Sequence, residues 1–244
     1  MALPALPSEL LLQIGRIISQ AVPTDIERFG ASSRRLREAL WPLIHEHRQC
    51  LKRFTVIEAS NATAAHVFFD ICQRPWVASY PRSLELCANR HLPTLERPKL
   101  KKQIGMIDQF RAQRDNIKDD ELAAAIHGTT LVDESEMPLW VDAVKKGRED
   151  YLFALLVACL PNLERLTVRL DMEKLERFKD MIRRIKERGP KQQHLTKLSF
   201  VHVRERDGAR TCDLEIFPLL VALPGVQKAY ASVCLNSFCN VHGD

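Results

Sequence analysis

YLFALLVACLPNLERLTVRL (residues 151–170) is the stretch whose reading decides the fold. Its first half, 151–160, is almost wholly apolar, which suits a helix buried on every side. Pro161 and Asn162 then mark a turn. From Leu163 to Leu170 apolar and polar residues alternate with the period of two that identifies a half-buried strand. The same order recurs downstream. MEKLERFKDMIRRIKERG (172–189) places Leu175, Phe178, Ile182 and Ile185 on one helical face, with Gly189 as its stop signal, and QHLTKLSFVHV (193–203) follows as a strand. DLEIFPLLVALPG (213–225) predicts a further helix with Pro218 near its start, and PGVQKAYASVC (224–234) a further strand.

Aligning Leu166, Leu198 and Tyr230 gives a helix–strand unit of roughly 32 residues, longer than a typical leucine-rich repeat but built on the same logic. One such unit cannot bury its apolar face alone, so neighbours must stack. An earlier copy is expected at 61–87, with NATAAHVFFDICQRP as an amphipathic helix and WVASYPRSLELC as its strand. Between it and Tyr151 lies a polar insertion, about 89–150. There RPKLKKQ (97–103) reads as a solvated loop or helix start, and IGMIDQFRAQRDNIKDDELAAAIHG (104–128) as helix. The expected class is therefore α/β, an irregular helix–strand, leucine-rich-repeat-like solenoid with one curved parallel sheet. The alternative is a mixed α/β fold without repeat geometry.

Composition sets outer bounds. The chain has 244 residues, 45% of them hydrophobic and 27% charged, the usual balance for a folded soluble protein. Its net charge of +5 is modest, and acids and bases are mixed along the chain rather than gathered in a basic stripe, which argues against a nucleic-acid partner. No run approaches the ~18 apolar residues of a membrane span. A secretory leader is not expected either, because no Lys or Arg precedes Leu10 and the run LPALPSELLLQIG is interrupted by two prolines, Ser8, Glu9 and Gln13. Seven scattered cysteines then read as reduced thiols, in the cytoplasm, the nucleus or both.

The amino-terminal segment has a different grammar. Pro7 suits the first turn of a helix. Leu10, Leu11, Ile14, Ile17 and Ile18 follow at helical spacing. Pro23 ends that helix or opens the next, which Thr24 or Asp25 can cap with Glu27 close to the capping-box position. Its inward residues would be Ile26 and Phe29, with Gly30 allowing close approach. Ser32 and Ser33 precede a third segment carrying Leu36, Leu40, Trp41, Leu43 and Ile44. Three short helices in about 40 residues make a core that is marginal alone and usually needs a partner surface.

This segment resembles an F-box. Leu6, Pro7, Glu9, Leu10 and Leu11 match the Leu-Pro-x-Glu-hydrophobic-hydrophobic opening, and Ile14 and Ile18 the spaced aliphatics. Asp25 and Ile26 match the Asp-aliphatic pair, and Ser33, Arg34 and Arg35 the serine-basic-basic stretch. Leu40, Trp41, Pro42 and Leu43 match the close. Gly15 inside the first helix and Leu36 in place of a frequent Trp depart from the pattern. The remainder is similar to fungal-type F-box proteins with leucine-rich strands. The resemblance implies an F-box-like unit at 1–48 that docks on a Skp-family adaptor, and through it a cullin, in an SCF ubiquitin ligase. The adaptor would be met by Leu6, Pro7, Leu10, Leu11, Ile14, Ile18, Leu36, Trp41 and Leu43. Residues 49–244 would then recognise an unidentified target protein. The alternative is a repeat-type interaction module outside any ligase, its first helices serving only as a cap.

No residues assemble into chemistry. His45, His47 and Cys50 in HEHRQC (45–50) diverge on a helix, and the stretch reads as a solvated linker. Cys234, Cys239 and His242 lack the spacing of a zinc site. Asp119, Asp120 and Glu121 are explained by the dipole of the helix they open, and Cys159 by burial as a packed thiol. Phosphate loops and nucleophile elbows are missing from the sequence. Neither catalytic residues, a metal nor a cofactor is expected. The cluster Arg183, Arg184, Lys186 and Arg188 reads as the solvated face of an outer helix, with an acidic partner as the alternative.

Overall fold

In this computed structural model the described residues are 6–59, 61–87, 117–170, 175–188, 194–205 and 215–232. The chain begins with three helices, α1 (Ser8–Ala21), α2 (Asp25–Ala31) and α3 (Arg34–Phe54). Then come β1 (Val56–Ala59), α4 (Asn61–Gln73), a 3₁₀ turn (Pro75–Ser79) and β2 (Ser83–Cys87). Next are α5 (Asp119–Gly128), a 3₁₀ turn (Glu134–Glu136), α6 (Met137–Lys145) and α7 (Glu149–Cys159). Two further strand–helix pairs, β3 (Arg165–Leu170) with α8 (Glu176–Arg188) and β4 (Phe200–Glu205) with α9 (Ile216–Val221), lead to β5 (Lys228–Ser232).

The five strands form one parallel sheet in chain order, β1-β2-β3-β4-β5. Ile57, Leu84, Leu166, Val201 and Ala229 stand side by side in one row, and Ala59, Leu86, Val168, Val203 and Ala231 in another. From β1 to β4 these residues are buried and belong to the main core with α4 to α9, while the alternate residues face away from it. Among the described residues, helices therefore cover one face of the sheet only. That is unusual for parallel strands, which are most often buried on both sides.

A repeated backbone contact sets this order. Thr55 O accepts from Arg82 N and Ser83 N at 3.0 and 3.1 Å, and Arg82 O from Glu164 N and Arg165 N at 2.8 and 2.9 Å. Glu164 O accepts from Ser199 N and Phe200 N at 3.0 and 3.1 Å, and Ser199 O from Gln227 N and Lys228 N, both at 3.0 Å. Each carbonyl just ahead of a strand thus takes two N–H groups from the turn that opens the next strand. At the last of these turns the backbones approach so closely that a Cβ on Gly225 would lie 2.7 Å from Leu198 O. Asn162 adds a side-chain stitch across three successive turns, donating from Nδ2 to Ser79 O at 2.8 Å and accepting from Lys197 Nζ at Oδ1 at 2.6 Å.

Several sequence expectations change. The alignment on Leu198 and Tyr230 is displaced: Leu166 pairs with Val201 and Ala229, so successive units are 35 and 28 residues long rather than uniform. Leu198 is buried in the turn ahead of β4, where an apolar residue at even spacing imitates a strand position. The strand expected over 76–87 is confined to Ser83–Cys87, because Pro75 opens a 3₁₀ turn. β1 was not expected. HEHRQC is not a linker: it lies within α3, where His47 and Cys50 are buried. The boundary expected at 48 therefore falls inside a continuous helix. The expected insertion is not polar from Ile117 onward, since Leu122, Ile126, Leu131, Trp140 and Val144 enter the main core. RPKLKKQ, Gly189, Cys234, Cys239 and His242 lie outside the described residues.

Replacing Asn162 by Ala removes both side-chain bonds of the stitch. The expected cost is about 1–2 kcal/mol, read as a lower urea midpoint with unchanged slope.

Candidate docking surfaces

The three amino-terminal helices have a core of their own, made by Leu11, Ile26, Leu36, Leu40 and Ile44. Two glycines permit it. A Cβ on Gly15 would lie 2.4 Å from Leu40 Cδ2, and one on Gly30 2.6 Å from Ile44 Cδ1. Gly15, a departure from the F-box pattern, is thus where α1 touches α3. Ser33 caps α3, its Oγ accepting from Leu36 N at 3.1 Å. The capping box expected on α2 is not formed: Thr24 makes no side-chain cap bond, and Glu27 instead accepts from Arg48 Nε of α3 at 2.8 Å. That hydrogen bond holds the Glu27 carboxyl below its ordinary range.

α1 carries more apolar surface than this core covers. Leu11, Gly15 and Ile18 form the inner stripe. Leu10, Ile14, Ile17 and Ala21 form a second stripe about 100° around the helix. Leu10 is 43% exposed, Ile17 67% and Trp41 of α3 51%. Of the residues expected at an adaptor, Pro7, Leu10 and Trp41 are exposed, and Leu6, Ile14, Ile18 and Leu43 are half-buried. Leu11 and Leu36 are core residues at 0% and 2% exposure, packed together where the inner stripe of α1 meets α3. Ile17 belongs with the exposed group, and its position on the outer stripe was the signal for it.

α3 runs on from this small core into the main one. Leu36, Leu40, Ile44, His47, Cys50 and Phe54 are its buried residues, a helical spacing that identifies the stretch as one helix despite Pro42. Asp70 of α4 ties down its far end, accepting from Arg53 at 2.9 Å and from Arg74 at 3.1 Å. At the junction of the two cores, a cleft of about 230 Å³ is lined by α1, α3 and the 3₁₀ turn after α4. His47 Nδ1 meets Tyr80 Oη there at 2.7 Å. Burial pushes the Tyr80 phenol up and the His47 imidazole down, so the contact joins two neutral groups.

Three arginines of the basic helix α8 are paired within the protein. Arg184 Nη1 and Nη2 donate to the Glu136 carboxylate at 2.6 and 2.9 Å, and Nη1 also reaches Leu131 O at 2.9 Å. Arg183 pairs with Asp180, and Arg188 with Asp133. Its N-terminus is capped from α7, where Asp150 accepts from Arg177 N and Phe178 N at 2.9 and 2.8 Å. Lys179 is buried between Glu176 and Glu215.

The sheet face turned away from the helices is the surface that sequence reasoning did not assemble. Across β3, β4 and β5 its rows read Arg165–Phe200–Lys228, Thr167–His202–Tyr230 and Arg169–Arg204–Ser232. The signal lay in the polar phase of each alternating strand. A separate hollow of about 640 Å³ between α4, α5 and α7 is mostly apolar, with Cys72, Cys159 and His194 among its walls. Burial pushes the Cys159 thiol up to about 12, which suits packing rather than nucleophilic attack. Among the described residues no three His, Cys, Asp or Glu side chains are grouped to hold a metal ion, and no helix is long and apolar enough to cross a membrane. Compared with known proteins, the chain matches no family model, no curated protein and no solved structure.

His47 sets an acid limit on stability. A base whose folded pKa lies below its ordinary value stabilises the fold fully above that value and loses the contribution as pH falls below it. Denaturation midpoints should therefore fall between pH 7 and pH 5, with a slope contribution from His47 of at most about 1.4 kcal/mol per pH unit. The pH dependence should be shallower in His47→Gln.

Proposed function

We propose that this chain is a non-enzymatic interaction subunit: its F-box-like helices dock on a Skp-family adaptor, and its helix–strand body, a leucine-rich-repeat-like solenoid, presents a surface to a target protein. One observation carries the reading. The amino-terminal unit already has a sealed core, yet a second apolar stripe, Leu10, Ile14 and Ile17, lies outside it with Trp41 also exposed. Apolar side chains left over after a small core has closed favour a docking role over self-packing. Leu11, Leu36 and Leu40 would support that surface from beneath. The chain-order sheet and its carbonyl ladder favour the solenoid reading, because each unit meets its neighbour through the same contact.

The activity would belong to the assembly. An adaptor–cullin scaffold holding a ubiquitin-conjugating enzyme beside a captured target raises the effective concentration of target lysines, with no nucleophile required from this chain. Such work suits the cytoplasm or nucleus. One observation favours the second reading, a repeat module whose first helices are a cap: α3 passes unbroken from the small core into the large one.

Co-expression with a Skp-family adaptor separates the two. The wild type should co-purify with it, whereas Leu10→Ser/Ile17→Ser/Trp41→Ser, which alters only exposed positions, should lose it while keeping the wild-type melting temperature. Failure of the wild type to bind the adaptor would leave the cap reading, and full retention by the triple variant would overturn docking through this stripe.

A further inference from the structure

The sheet face that no described helix covers has a chemistry of its own. Phe200 stands in register between Arg165 and Lys228, with the Arg165 guanidinium 5.8 Å from its ring. Tyr230, 54% exposed, lies diagonally across with its ring 5.5 Å from that of Phe200, and His202 meets both rings at 6.5 Å. His202 Nε2 is also 2.7 Å from Ser232 Oγ, which fixes the imidazole within the cluster. The charges are unevenly spread. On this face β1 and β2 carry Glu58 and Glu85, and β3 to β5 carry Arg165, Arg169, Arg204 and Lys228. Glu85 pairs with Arg169. Among the described residues Arg165, Arg204 and Lys228 have no acidic partner and are exposed. Just outside the face, Arg82 and Glu164 pair with each other at 3.3 Å.

We propose that the β3–β5 half of this face binds a short acidic protein segment, its anionic groups on Arg165, Arg204 and Lys228 and an apolar or aromatic side chain against Phe200 and Tyr230. Three cations with no acidic partner among the described residues, ringing an aromatic cluster, are complementary to alternating acidic and apolar residues. The rings supply buried area, and the guanidinium groups supply planar donor forks for carboxylate or phosphate. The size of the patch decides against a polynucleotide. Three strands and one strand height give roughly 10 by 13 Å, room for a few side chains. Beyond it Glu58 and Glu85 interrupt the positive field, whereas a nucleic-acid track continues along many phosphates. The same acidic end would repel a segment bound out of place. The inference names the target class within the proposed function, yet it does not need the adaptor, since the amino-terminal stripe lies in a separate core.

Full-length protein titrated into a fluorescein-labelled peptide, EELEEYEE, should raise its anisotropy, with affinity falling as salt is added. A version with phosphoserine in place of two glutamates tells phosphate from carboxylate as the preferred anion, and tighter or equal binding of either supports the site. Arg165→Glu/Arg204→Glu/Lys228→Glu should weaken binding at least tenfold. Should that variant fail to fold, the triple Gln variant should weaken it severalfold, and Tyr230→Ser should weaken it with no charge change. The Leu10/Ile17/Trp41 variant should bind the peptide normally, and the charge variants should still take up an adaptor if the wild type does, so the two readings fail separately. No binding of either acidic peptide, affinity unchanged in the charge variants, or tighter binding of a twelve-nucleotide oligothymidylate would overturn the proposal.

Discussion

Everything in this molecule depends on one backbone contact made four times: a carbonyl at the mouth of one strand takes two N–H groups from the turn that opens the next. A carbonyl oxygen has two lone pairs, and using both forces each turn to lie directly against its predecessor. Because a one-residue slip would exchange the faces of a strand, this pinning also decides which side chains meet the helices and which meet solvent. Leu84, Leu166 and Val201 go inward together, and Glu85, Thr167 and His202 outward together. The contact sets the start of each strand but leaves the path between strands free. Units of 35 and 28 residues, and the much longer excursion between β2 and β3, therefore serve one sheet.

α3 is the second organising device. Its early turns close the small amino-terminal core, and its later turns, through Cys50 and Phe54, join the large one. Arg53 on Asp70, Arg48 on Glu27 and His47 on Tyr80 fix its rotation against both neighbours. A surface carried on α1 is thereby joined to the sheet through a continuous helix rather than through a linker.

The regular elements were legible because burial and periodicity are local. YLFALLVACL reads as a buried helix from its length and uniform apolarity, and LTVRL alternates. Misreadings arose where a local signal had two causes. Leu198 is apolar because it plugs a turn. HEHRQC is polar because half of a helix faces water while His47 and Cys50 do not. The basic residues of α8 resembled a free surface until Glu136 and Asp133, distant in sequence, arrived beside Arg184 and Arg188.

By itself the sequence determined the helix–strand alternation and the apolar excess of the first helix, since each of these is written in neighbouring residues. Only the tertiary structure decided which leucines of the amino-terminal helices are spent inside, and that Arg165, Phe200 and Tyr230 share one open face. The physical reason is register. Residues in three strands become neighbours through hydrogen bonds between turns far apart along the chain, and no local pattern encodes where those turns will stack.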